Sequence, residues 1–202
     1  MNTAPLDWHT LPLFPLGSVL FPGGVLPLRV FEARYVDMLR ERMKAAQPFG
    51  VCLIKDGAEV GAPAVPFEVG CLASIVDFDM PQLGVLNIRT HGSSRFRVLG
   101  TTTEKDGLVR ARAEAIDDDA AVPVPPAFNQ CSLMLRAVLP KLPVEMIRTP
   151  HQLDDAAWVS NRLAEILPIQ ALAKQRLMEL TDPLMRLEII HKFLMQQGLK
   201  TT

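Results

Sequence analysis

The hydrophobic period of this sequence turns from mainly strand-like to helical past its middle, and that change constrains the fold more than any single motif. Up to about residue 115, apolar residues come in short runs broken by proline and glycine; past residue 126 they recur at helical spacing. Strands gathered in one half and helices in the other describe an α+β chain, not an alternating α/β one.

In the first half, Leu11-Pro12-Leu13-Phe14-Pro15 and Val25–Val30 read as strands separated by the breakers Pro22-Gly23-Gly24. Two prolines in the first run predict an edge or irregular strand, because proline cannot donate to a ladder. From Phe31 to Lys44 the period becomes helical: Phe31, Tyr35, Met38, Leu39 and Met43 share a face. Glu32, Arg34, Asp37, Arg40 and Glu41 fall mostly on the charged one, with Glu32 placed to cap the helix start. Strand signals follow at Gly50–Lys55, Val69–Phe78, Leu83–Thr90, Arg95–Leu99 and Leu108–Ile116. Asp79–Gly84 reads as a hairpin tip and Gly92-Ser93-Ser94 as a second turn. Alternation through Arg95-Phe96-Arg97 predicts Phe96 inward and both arginines outward. Short strands with turn chemistry between them suggest a compact, partly closed barrel.

Asp117-Asp118-Asp119 and the prolines up to Pro126 read as a solvated, stiffened linker. The expected organisation is a barrel subdomain over 1–118, a linker over 119–126 and a helical subdomain over 127–202. Helices are expected over Ala127–Leu139, Leu153–Leu167, Ile169–Leu180 and Leu184–Gln197. The third carries Leu172, Ala173, Leu177 and Leu180 as its apolar positions, and Asp182 (or Thr181) with Pro183 starts the last.

Charge and composition exclude several functions. Net charge is -1, and Lys+Arg against Asp+Glu run nine to nine in residues 1–100 and twelve to thirteen in 101–202. Neither half is a polycation, so no nucleic acid is expected as a partner. Cys52, Cys71 and Cys131 are too far apart for a disulfide framework or metal pair, and Cys52 and Cys71 lie in apolar surroundings as small buried hydrophobes. His9, His91, His151 and His191 lack metal-ligand spacing, so no metal or cofactor is expected. Ser93-Ser94 near His91 lies outside any nucleophile elbow. Without an apolar stretch of about 20 residues or a secretory signal, the chain reads as soluble and cytoplasmic, away from membranes.

Several motifs in order carry a family resemblance. Leu11–Leu16, Val19-Leu20-Phe21-Pro22-Gly23, Leu26-Pro27-Leu28 and Phe31-Glu32-Ala33-Arg34-Tyr35 resemble the opening of the Lon protease N-terminal domain family. Gly70-Cys71-Leu72-Ala73-Ser74-Ile75 and Gly92-Ser93-Ser94-Arg95-Phe96-Arg97-Val98 resemble two of its strands. Leu167-Pro168-Ile169, Lys174-Gln175, Thr181-Asp182 and Arg186-Leu187 resemble its final helices. The resemblance implies a PUA-like barrel with an inserted helix, then a helical bundle, recognising protein or peptide clients. The sequence has no Gly-x-x-x-x-Gly-Lys-Ser/Thr loop and ends before an ATPase or Ser–Lys peptidase could begin, so a non-enzymatic, stand-alone module is expected.

Client binding would use exposed apolar residues and a charged helix face. Phe78, Met80 and Leu83 at the hairpin and Arg34 and Arg40 on the first helix are the candidates. Two alternatives stay open: RNA binding on a basic face including Arg89, Arg95, Arg97, Arg110 and Arg112, and a small-ligand or enzymatic pocket. Homo-oligomerisation is left open.

Overall fold

The computed structural model describes residues 6–198. The chain forms two compact units, Met1–Ile116 and Asp117–Thr202.

The first unit contains β1 (Leu11–Leu16), β2 (Val25–Val30), α1 (Ala33–Ala45), β3 (Phe49–Asp56), β4 (Val65–Gln82), β5 (Val85–Thr103) and β6 (Val109–Ala115). Their order is β2-β5-β4-β3-β1-β6, and β6 pairs back onto β5, so a six-stranded sheet curls into a partly closed ring. β5 makes this closure by changing partners. Its first part pairs with β2 over 86–91, and its last part pairs with β6 over 96–103. Register breaks between Cys71 and Ala73, Ile75 and Asp77, and Asp79 and Gln82 let the long β4–β5 pair bend.

Gly92 stands at the handover, in continuous strand and not in the turn that its Gly-Ser-Ser context predicts. It donates to Gly24 O at 2.9 Å and accepts from Gly23 N at 3.0 Å. A Cβ there would lie 2.3 Å from Phe21 O, so close backbone approach explains this glycine.

Two apolar layers hold the unit. Leu11, Leu13, Cys52, Leu72, Phe96, Val109, Ala111 and Ala113 form one cluster. Phe14, Leu16, Val30, Phe49, Val51, Leu86 and Ile88 pack with Tyr35, Val36, Met38 and Leu39 of α1 in the other. β1 is buried throughout because alternate residues serve alternate layers. It has a strand neighbour on each side, but each covers only part of its length. β6 meets it at Leu11 and Pro12 and β3, in parallel, at Leu13–Leu16, so the prolines interrupt staggered ladders and the strand is irregular.

The same double layering corrects two other expectations. Arg95 lies only 2% exposed, because it pairs opposite Cys71 of the layer under α1, while Phe96 enters the other layer. Phe31 is 55% exposed, since α1 begins at Ala33 and Phe31 precedes the helical face it was assigned to.

The second unit has α2 (Asn129–Val138), α3 (Ala156–Ile166), α4 (Ala171–Glu179) and α5 (Pro183–Gln196). Asp155 caps α3 by accepting from Trp158 N at 2.7 Å. Asp182 caps α5, accepting from Leu184 N at 2.9 Å, with Pro183 in the first turn. Cys131, Leu135, Val159, Leu163, Leu177, Leu187, Ile190 and Leu194 are buried. Leu172 is exposed instead, and Gln175 and Met178 take the inward positions of α4. Residues between Asp117 and Pro125 run against this unit: Ala156 N donates to Val122 O at 2.8 Å and Val124 N to Asp154 O at 2.9 Å.

Candidate functional site

The β4–β5 hairpin is the most exposed apolar feature of the first unit. Its strands continue to Gln82 and Val85, which pair directly, so the turn is only Leu83-Gly84. Gly84 supplies the positive φ of 82° that such a tight turn requires. Leu83 is therefore held out at the tip, 92% exposed. Phe78 is 60% exposed and Met80 and Val76 are also open to solvent. Three of the residues expected at a client surface thus share one hairpin. Asp77 lies among them, paired with Arg89 at 3.0 Å.

Between this hairpin and the end of α1 runs a groove of about 320 Å³, lined by Met43, Ile75, Val76 and Phe78, with Arg42 and Asp77 among its polar residues. Arg42 donates to Gln47 Oε1 at 3.0 Å. The sequence reading passed over Arg42 because nothing in a helical period says that β4 will lie beside it.

The two α1 arginines separate. Arg40 stays on the outward face, in an ion pair with Asp37 at 3.3 Å. Arg34 does not lie on the solvent face that the period assigned to it; it is 8% exposed. Its Nη2 donates to Glu32 Oε2 at 2.6 Å and to Gly61 O at 2.8 Å, and its Nη1 donates to Gly107 O at 3.1 Å. Its guanidinium lies 4.7 Å over the Tyr35 ring, which stacks on Phe14 at 4.1 Å. Glu32 makes no side-chain cap. It accepts from Gly61 N at 2.8 Å instead, so Glu32 and Arg34 together tie the start of α1 to two loops. Burial holds the Tyr35 phenol above its ordinary value, with Arg34 opposing the shift.

The arginines expected to form a basic face are mostly engaged. Arg97 pairs with Glu114 at 3.8 Å and Arg110 with Glu104 at 2.7 Å, Arg89 with Asp77 as above, and Arg95 is buried; Arg112 is exposed. Among the described residues no group of three or more His, Cys, Asp or Glu could hold a metal ion. Cys52, Cys71 and Cys131 are all buried, and burial pushes the Cys52 thiol up strongly and that of Cys131 to about 11. Among the same residues no helix is long and apolar enough to cross a membrane.

The helical unit carries an apolar surface of its own. Leu167, Ile169, Ala173, Leu177, Leu180, Ile189, Ile190 and Phe193 line a groove of about 410 Å³, with Arg176 beside them. Ile189 and Leu172 are exposed there and on α4. Sequence periodicity could have found the groove only by noticing that α4 and α5 carry more apolar residues than one face needs.

Comparison with known proteins places these features. Residues 10–196 match the family model of the ATP-dependent protease La (LON) substrate-binding domain. The chain is 29% identical over 194 residues to a Lon protease of Xanthomonas oryzae pv. oryzae, covering 89% of this chain and 22% of that protein. It is 26% identical over 192 residues to a Lon protease of Anaeromyxobacter dehalogenans, covering 91% and 23%. The chain thus spans less than a quarter of these relatives. The crystal structure of a Lon N-terminal domain protein from Xanthomonas campestris superposes with TM-score 0.76 at 38% identity, covering 90% of this chain and 96% of that one. The N-terminal domain of Mycobacterium avium complex Lon protease superposes with TM-score 0.63 at 14% identity over the same shares, a likeness of fold.

Proposed function

Since the chain belongs to the ATP-dependent protease La (LON) substrate-binding domain family, we propose that it is a non-catalytic recognition module for exposed apolar segments of client proteins. The observation that carries this reading is the hairpin, which presents Phe78, Met80 and Leu83 to solvent with no fold-stabilising reason for the exposure at the tip. Burying such side chains against an unfolded chain is favourable at about 25 cal/mol per Å² of apolar area. Methionine suits varied partners because its unbranched thioether repacks easily. Arg40 is an outward cation of α1 and belongs to the same surface in this reading; Arg34 supports it by fixing α1. The barrel subdomain (1–118), the segment 119–126 and the helical subdomain (127–202) act together as one module.

Fluorescence anisotropy with a labelled, reduced and carboxymethylated protein tests the proposal, using its native form and a mixed RNA oligonucleotide as controls. Saturable binding of the unfolded chain that persists at moderate salt is the expected result. Leu83→Asp combined with Phe78→Ser should weaken it by about tenfold, the weight of one buried apolar side chain. Salt-sensitive binding of RNA alone would replace the reading with nucleic-acid recognition.

A further inference from the structure

Among the described residues β2 pairs with β5 on one side and with no other strand, so one of its edges is open. The glycine bulge before it fixes which backbone groups lie on that edge. Gly92 N donates to Gly24 O at 2.9 Å, so Leu26, Leu28 and Val30, two apart, turn their N–H and C=O toward β5. Val25, Pro27 and Arg29 turn theirs away. Pro27 is tolerated here because its missing N–H falls on the open side. The second half of β1, Leu13–Leu16, pairs with β3 alone, so β1 and β2 are the two rims of the gap in the ring.

A groove of about 290 Å³ lies beside this edge. Phe14, Leu16, Leu26, Leu28, Phe31 and Val60 are among its apolar residues, and Phe31 and Val60 are exposed. Its charges are Arg29, Glu32 and Glu59, more acidic than basic, so it is not built for a polyanion. What it offers is a row of backbone donors and acceptors with apolar side chains alongside, the chemistry that recognises an extended polypeptide.

We propose that the open edge of β2 and its groove accept an extended segment of a client polypeptide as an added strand. The surface rests on the client-recognition reading and deepens it: the segment's backbone pairs with Val25 and Arg29 and with the Pro27 carbonyl, while its alternate side chains meet Phe31 and Val60. Affinity then comes from backbone and modest apolar contact, so sequence selectivity is low and the requirement for an unfolded client is strict.

The test uses the whole chain and three probes: the carboxymethylated protein above, a Lys-ended alternating Val-Thr decapeptide, and that decapeptide N-methylated at alternate residues. Arg29→Ala removes a side chain and leaves the edge N–H; Arg29→Pro removes the N–H without touching a β5 bond. The expected result is that Arg29→Pro binds both unmethylated probes about tenfold more weakly than Arg29→Ala does, one or two backbone hydrogen bonds. The N-methylated peptide should fail to bind, and amide exchange at Val25 and Arg29 should slow on binding. Should Arg29→Pro not fold by circular dichroism, the methylated peptide and the exchange rates of the parent protein decide. Equal binding by Arg29→Ala and folded Arg29→Pro, or by the methylated and unmethylated peptides, overturns the edge. So does binding of the carboxymethylated protein without the decapeptide and without slowed exchange, which leaves client recognition standing. Failure of the carboxymethylated protein and both peptides overturns both.

Discussion

Phe96 and Arg186 occupy equivalent places in the two units and could hardly differ more in chemistry. Phe96 is fully buried, and Gly50 and Gly70 clear space for it: a Cβ on either would stand 2.6 Å from its ring. Arg186 is 1% exposed at the centre of the helices. Its Nε donates to Leu177 O at 2.9 Å, and its Nη1 donates to Asp119 Oδ2 at 2.8 Å and Asn161 Oδ1 at 2.9 Å. Nη2 donates to Leu180 O. One side chain thereby joins α3, the end of α4, α5 and the acidic segment before α2. The barrel is held mainly by its strand ladders and filled mainly by apolar side chains, with Arg34 and Arg95 its buried cations. Short helices have no ladder between them, and a buried fork of donors fixes their mutual positions.

The comparison breaks or stands on Arg186. Arg186→Ala should destabilise the protein by about 3–5 kcal/mol, because it removes the cation paired with Asp119 and the donors to the Leu177 and Leu180 carbonyls. Phe96→Ala should cost a similar ~3–5 kcal/mol for a different reason, an unfilled cavity. The two are told apart by rescue. Arg186→Met with Asp119→Leu should recover much of the loss in urea unfolding, since an apolar pair replaces a buried ion pair. No change at a second site restores the volume of Phe96 so simply. If the double variant is no better than Arg186→Ala, the ion pair is not what orders the helices.

This contrast also explains what was legible in the sequence. The five α-helices among the described residues and most strands follow from apolar period and breakers, since those report a local preference; β5, read as two strands, is one. Arg34, Arg95 and Arg186 were not legible as buried residues. A guanidinium reads as solvent-facing until Gly61 O, Gly107 O or Leu177 O, supplied from distant or differently oriented segments, satisfies it. Gly92 was read as a turn because close backbone approach and positive φ use the same residue. At the candidate site, the hairpin position of Phe78, Met80 and Leu83 could be read from the turn residues. The open edge of β2 could not, because an edge is a property of the strand order and not of the strand.

A smaller effect sharpens the same difference. α5 begins at Asp182, whose carboxylate accepts from Leu184 N at 2.9 Å and Met185 N at 3.3 Å. Asp182→Ala should cost about 1 kcal/mol. Hydrogen exchange should show the loss concentrated in α5, with the barrel amides unchanged. Loss spread equally over both units would mean that they unfold together and that the chemical contrast between their cores has no separate consequence for stability.

A last expected effect concerns pH. Cys131 is buried in α2, and its thiol is pushed from 9.0 to about 11 by burial. The folded value lies above the unfolded one, so the unfolded thiol ionises first as pH rises. Its contribution to stability is complete below pH 9.0 and is lost as pH rises toward about 11. Other groups titrate in that range, so the comparison must be between variants. Cys131→Val removes the ionisation while keeping a small apolar side chain. Between pH 9 and 11 the Tm of Cys131→Val should therefore fall less than that of the parent, whatever its Tm at neutral pH. Parallel curves would mean that water reaches the thiol in the folded state, and that the helical core is looser around Cys131 than its burial implies.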